Sequence, residues 1–207
     1  MTATPPAMTA TPPAMTDIAF ALQGDFAPTG YERPLLQALL SALPWFAEEP
    51  LAGVLPLRGT QHDQGIWLPR RTKLVLRLPA SRIDQAHALS GRRLALGKAS
   101  LLIEAGEVRP HKGHPTLHAH LVTSTLDETD FMSFVDAELS QMGITGQCLC
   151  GKHRSLRDGD RTLGGYSLVV HHLKPDQSLL LQGMGLGQDR TLGCGIFVPF
   201  KAIPNLA

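Results

Sequence analysis

Read for hydrophobic period, residues 18–200 spell out one order of elements twice, β-α-β-β-α-β, and this doubling restricts the fold more than any other feature of the chain. In the first round, an apolar strand at 18–22 stops at Gly24. Leu35, Leu36, Leu39, Leu40 and Leu43 then recur at helical spacing, with Pro34 admissible only in the first turn and Pro44 closing the helix. The stretch 51–58 is β-like, with Pro56 suited to a sheet edge, and 61–70 reads as a loop. Residues 73–78 alternate: Leu74, Leu76 and Leu78 share one face, Lys73, Val75 and Arg77 the other. Ser81 and Asp84 open a short helix that Gly91 ends, and 94–96 with 101–103 close the round as a hairpin turned at Gly97-Lys98.

The second round follows a Pro/Gly/His-rich link at 109–115. Residues 116–122 form a strand, and Asp127 caps a helix carrying Phe131, Phe134, Val135, Leu139 and Met142, stopped by Gly143. Two strands, 144–150 and 161–172, flank a basic turn. A short helix after Pro175, a glycine-rich loop and a strand at 196–200 complete the round. The pattern predicts an α+β fold of two tandem ferredoxin-like domains, 17–108 and 116–207, joined by 109–115. Residues 1–16 are set apart: Met-Thr-Ala-Thr-Pro-Pro-Ala occurs twice there, too proline-rich for a helix and without the basic start and apolar core of a targeting signal. That tract is expected to be disordered.

No stretch approaches the length of a membrane span. Three cysteines (Cys148, Cys150, Cys194) without a secretory signal point to reduced thiols in the cytoplasm. The net charge of +1 argues against a strongly basic nucleic-acid binder, but its distribution is uneven. Residues 70–112 carry ten Lys/Arg against three acids, and 127–138 carry five acids and no base. Segregation of that kind suits a basic face on a nearly neutral protein.

The glycine-rich loop runs from Gly183 to Gly195 and contains Gly185, Gly187, Arg190 and Gly193. Its glycines permit positive φ and close backbone approach, and Arg190 offers a planar cation for phosphate. A helix precedes this loop and a strand follows, the reverse of a Rossmann or Walker loop, so dinucleotide and nucleoside-triphosphate binding are not indicated. Lys152, Arg154, Arg157 and Arg161 surround Asp158-Gly159-Asp160 as a basic hairpin fit for the backbone of A-form RNA. The histidines at 111, 114, 118 and 120, and the set Cys148, Cys150 and His153, match no metal-ligand template. His118 and His120 share one strand face, which suits a surface contact with RNA.

The loop pattern G-x-G-x-x-R-x-x-G-x-G before a last strand, in the second of two ferredoxin-like units, resembles the repeat-associated RAMP superfamily. Within it, the tail Gly193-Cys194-Gly195-Ile196-Phe197-Val198-Pro199 is similar to that of the CRISPR-associated repeat-cleaving endoribonucleases, the sixth Cas family. The resemblance implies cleavage of precursor CRISPR RNA within its repeats, at the base of a stem-loop, and retention of the product hairpin among other Cas effector subunits. The chemistry is attack of a ribose 2′-OH on its own 3′-phosphate, leaving a 2′,3′-cyclic phosphate and a 5′-OH. No metal or cofactor is required when the protein positions the groups and moves the protons.

Relatives carry histidine before the Gly-Tyr that opens the first helix and before the Pro of Pro-x-Arg-Gly; this chain has Thr29 and Leu55. His62 is the nearest substitute, with Tyr31 and Lys73 as candidate partners. The RNA-binding candidates are Gly185, Gly187, Arg190, Gly193, Gly195, Lys152, Arg154, Arg157 and Arg161. Two alternatives stay open: a repeat-RNA-binding subunit without cleavage, and a ferredoxin-like binder of a metal or small ligand.

Overall fold

The computed structural model describes residues 13–200. In chain order the first half contains β1 (Met15–Gln23), β2 (Phe26–Pro28), α1 (Glu32–Ala42), β3 (Gly53–Val54), β4 (Thr60–His62), β5 (Gly65–Trp67), β6 (Lys73–Pro79), α2 (Ile83–Ala86), β7 (Arg93–Leu96) and β8 (Ala99–Pro110). The second half contains β9 (Leu117–Thr123), α3 (Glu128–Gln141), β10 (Gln147–Asp158), β11 (Arg161–His171), α4 (Pro175–Met184) and β12 (Phe197–Pro199). Sheet order is β3-β6-β1-β8-β7 in one half and β10-β11-β9-β12 in the other. With β7 set aside, both orders are the antiparallel 4-1-3-2 of a ferredoxin-like unit. Each half has its own apolar core: Phe20, Leu35, Leu39, Phe46 and Leu76 in the first, Leu117, Val122, Phe131, Leu168 and Phe197 in the second.

Several local expectations are corrected. Residues 61–70 are not a plain loop: β4 and β5 form a hairpin that β2 extends into a small third sheet. Of 51–58 only β3 pairs, at the sheet edge. The Ser81 helix is broken into one α-turn between two 3₁₀ turns, and its N-cap is Pro79 without a side-chain bond. β8 runs through Arg109 and Pro110, which pair with β1, so the link proposed to start at 109 begins in a strand. The repeat tract proposed for 1–16 also overlaps structure, since Met15 and Thr16 belong to β1; residues 1–12 of that tract lie outside the described residues. Asp127 does cap α3, accepting from the Asp130 amide at 2.9 Å.

One of the junctions between the two halves is polar and buried. Arg77, wholly inaccessible, sits opposite Asp17 across β6 and β1 and donates to its carboxylate at 2.8 and 3.1 Å. Its remaining donor reaches into the second half, to the carbonyls of Gln182 (2.8 Å) and Phe197 (2.6 Å). His111 Nε2 meets the same Asp17 Oδ1 that accepts from Arg77 Nε, at 2.9 Å. Burial alone would raise the Asp17 pKa, but hydrogen bonds from His111 and Arg77 outweigh it and hold the carboxyl below the ordinary range.

Removing one member of such a group strands the other charge without water, at a cost of about 3–5 kcal/mol. Asp17→Ala is therefore expected to lower the unfolding free energy by about 3 kcal/mol, read by urea denaturation at neutral pH. Because the folded-state pKa is depressed, the Asp17 contribution is present above the carboxyl's unfolded value and disappears as pH falls through the lower folded one. The stability gap between parent and Asp17→Ala should narrow over that acidic interval.

Candidate functional site

A cleft of about 650 Å³ opens between the halves. Its first-half wall comes from the start of α1 (Thr29, Gly30, Tyr31, Glu32), the segment Leu55 to Gly59 and the inner side of the β4–β5 hairpin. The second-half wall is made by His118 and His120 of β9, Arg154 and Arg157 of β10, and the end of the glycine loop, Leu192 to Cys194. Both positions where histidine was expected, Thr29 and Leu55, face this space. The charged groups on its walls are Arg58, Arg154, Arg157 and Glu32. Burial raises the Glu32 pKa above the ordinary carboxylate value.

Two irregularities in the second sheet aim these side chains. Between the pairs Leu168↔Ala119 and Tyr166↔Val122, β9 holds one residue more than β11, a bulge at His120-Leu121. Leu117, Ala119 and Val122 consequently enter the core, while His118, His120 and Leu121 line the cleft. β10 has a matching bulge at Gly151-Lys152, between Cys150↔Leu168 and His153↔Tyr166. Ser167 is thus the single residue opposite both bulges. Beyond them the β10–β11 hairpin reaches the first half, where Asp158 accepts from Arg33 of α1 at 2.8 Å and from Arg161 at 2.6 Å.

Burial, then the positive charge of Arg154 and Arg58, lowers the pKa of His118 below its ordinary 6.5. His120 is lowered likewise by burial, Arg154 and His118. Both imidazoles are therefore largely neutral at neutral pH. His118 also rests beside the Phe200 ring, with centroids 5.4 Å apart.

The glycine loop does not present Arg190. This side chain is buried, and its guanidinium donates to Leu51 O at 3.0 and 3.3 Å, Met184 O at 2.7 Å and Gly183 O at 3.0 Å. Burial, with Arg77 nearby, brings its pKa down to about 10, so the charge persists and is spent on carbonyls rather than on a ligand. Gly185 (φ +67°) ends α4, and a Cβ there would strike the Arg190 guanidinium. Gly195 (φ +64°) donates to Leu121 O at 2.7 Å, seating the loop on the β9 bulge, and a Cβ would strike Leu186 O. Gly187 is exposed but does not line the cleft; of the predicted loop residues only Gly193 does.

The other candidates divide. Arg154 and Arg157 line the cleft, on strand β10 rather than in a turn. Lys152, at the bulge, lies outside the lining, and Arg161 is engaged with Asp158. Tyr31 lines the wall, but its hydroxyl accepts the Leu57 amide at 2.9 Å, and burial raises its pKa above the ordinary tyrosine value. It holds the Leu55 to Gly59 segment in place and is poorly suited to carry a proton. Lys73, on β6, and His62, whose ring stands edge-on to Trp67 with centroids 6.3 Å apart, are both outside the lining.

The basic run at 70–112 contributes nothing to the lining either. Arg77 is buried, Arg82 pairs with Glu49 over Trp45, and Arg109 pairs with Glu107. The His111 ring bonds Asp17, the His114 amide donates to Ser178 Oγ, and among the described residues no three His, Cys, Asp or Glu side chains gather as a metal site. The described cysteines are unpaired, Cys194 being buried with its pKa raised to about 12 by burial and nearby Asp189 and Glu32. Among the described residues, no helix is long and apolar enough to cross a membrane.

Two outcomes follow. Gly195→Ala is expected to cost more unfolding free energy than the about 1–3 kcal/mol of left-handed backbone at a non-glycine residue, because the added Cβ also meets Leu186 O. In an NMR titration, the His118 and His120 ring protons should show midpoints below 6.5.

The chain can now be set beside known proteins. A family model described as Cas6 Crispr matches residues 16–202. The CRISPR-associated endonuclease Cas6 of Myxococcus xanthus (strain DK1622) is 30% identical over 192 residues, spanning 88% of this chain and 80% of that protein. Among solved structures, a CRISPR-associated Cas6 protein superposes with a TM-score of 0.63 at 12% identity, covering 90% of this chain and 100% of its own. A Cas6-related protein from Pyrococcus furiosus gives 0.62 at 11%, with 90% and 99% covered. A RAMP protein described as binding different RNA substrates gives 0.61 at 16%, with 90% and 100% covered. At these identities the solved structures speak for the fold, which is that of the RAMP proteins.

Proposed function

Since the chain belongs to the Cas6 family of CRISPR-associated proteins, we propose that it is an endoribonuclease that cuts precursor CRISPR RNA within the repeats, without a metal, by 2′-OH transesterification. The observation that carries this reading is the cleft itself. It brings Thr29 and Leu55, the two positions where the resemblance led histidine to be expected, to one space with Arg58, Arg154 and Arg157.

Each requirement of the reaction has a counterpart there. Arg154 and Arg157, exposed along β10, supply two cations for the phosphates of an RNA stem. Arg58, on the opposite wall, is suited to the charge that builds on the phosphorane oxygens. The Arg77 and Arg190 anchors hold the walls at a fixed separation, which favours the in-line approach of the 2′-oxygen. Binding is thus assigned to Arg154 and Arg157 rather than to Arg190, Lys152 or Arg161.

The test is incubation of pure protein with end-labelled RNA carrying the repeat of the array beside its gene, in EDTA. The expected products end in a 2′,3′-cyclic phosphate and begin with a 5′-OH, and a 2′-deoxy substitution at the scissile nucleotide abolishes them. Binding with no cyclic-phosphate product would replace this reading with that of a repeat-RNA-binding subunit, which the histidine replacements at Thr29 and Leu55 would then explain. Replacing Arg154 and Arg157 by Ala should weaken RNA affinity about tenfold or more and reduce the salt dependence of binding by about two phosphate contacts.

A further inference from the structure

We propose that His118 and His120, both on β9 in the second half, are the proton-transfer pair of the cleft, His118 as general base and His120 as general acid. This rests on the endoribonuclease reading and adds to it the groups that move the protons. Three observations converge. They are the histidines on the cleft walls, whereas His62 lies outside. The bulge at His120-Leu121 turns them out of the core, and the Gly195 amide bond to Leu121 O at 2.7 Å pins that bulge. Finally, the wall facing them carries no histidine: Thr29 and Leu55 stand at the two positions where one was expected, beside Glu32 and Tyr31, whose hydroxyl is engaged by the Leu57 amide.

The environment divides the roles. The charged groups on the walls are Arg58, Arg154, Arg157 and Glu32; β11 and β12 place Val169 and Val198 opposite His118 and bring no charge at that register. His118 is half-buried and senses both Arg154 and Arg58, which keeps its ring neutral and ready to accept. The His120 pKa is lowered as well, by burial first and then by Arg154 and His118, but without the Arg58 contribution that His118 feels. The imidazolium that donates is therefore a minor form, whose share grows once His118 is neutral. In the step, the neutral imidazole of His118 takes the 2′-OH proton as the 2′-oxygen bonds to phosphorus. The P–O5′ bond breaks, and the 5′-oxygen takes a proton from the His120 imidazolium. The enzyme ends with the two protonation states exchanged, and no water or co-reactant is consumed.

The experiment measures single-turnover cleavage and equilibrium binding of the same labelled repeat RNA by parent, His118→Ala, His120→Ala, the double variant and His87→Ala, an exposed histidine on a 3₁₀ turn of the first half. Each cleft variant should lose about 10²–10⁴-fold in rate while affinity changes by only a few-fold, and His87→Ala should match the parent. The parent's rate should trace a bell in pH, rising as His118 loses its proton and falling as His120 loses its own, and His118→Ala should lack the rising limb. A substrate with a 5′-sulfur leaving group, which needs no proton, should restore His120→Ala and leave His118→Ala slow. Restoration of His118→Ala instead overturns the division of roles. A double variant that binds and cuts at the parent rate overturns the pair and leaves the endoribonuclease reading standing. A parent inert on repeat RNA overturns both. His118→Asn and His120→Asn, closer in shape, replace any alanine variant that fails to bind.

Discussion

A guanidinium shut away from water holds this molecule together. Arg77 cannot be hydrated where it lies, so its charge must be met by protein, and the groups that meet it come from both halves of the chain. Any sliding of one half past the other would strand that charge. Arg190 repeats the arrangement in the opposite sense, a cation of the second half satisfied partly by Leu51 of the first. Neither arginine touches the cleft, yet together they determine how far apart its walls stand.

Within that frame, departures from regular sheet direct the chemistry. A strand of strict alternation would leave Leu121 in the core and Val122 outside it. The extra residue in β9 reverses that order and leaves two imidazoles and a leucine on the open side. The same row of the sheet is interrupted in β10, so the arginine-bearing end of the hairpin departs from the sheet's regular course at the level where β9 does. The glycine loop braces the first of these bulges instead of cradling a ligand, and its sequence of small residues reflects tight packing against carbonyls and a guanidinium.

Much of the fold was legible from hydrophobic period. Leu74, Leu76 and Leu78 announce one buried face, and Asp127 and Gly143 mark the ends of α3 by local chemistry that needs no tertiary context. What local pattern cannot carry is the identity of whatever packs on the other face. Arg77 alternates as a solvent-facing residue should, and only a second domain lying over it makes it buried. Arg190 misled for the same reason: a lone arginine among glycines suits an anion or a nest of carbonyls equally well until the neighbours are known. His118 and His120 were visible as a pair sharing one strand face. Their relation to Thr29 and Leu55, some 60–90 residues earlier in the chain, was not. β4 and β5 escaped notice because three-residue strands leave no period to read.

The two ends of the junction are fastened by different means. At Arg77 the contacts lie where counterions do not reach. At Asp158 the carboxylate is enclosed, but its partners are open, the Arg33 and Arg161 side chains being 48% and 71% exposed. The molecule therefore has a spine and a clasp: ionic strength leaves the first untouched and loosens the second.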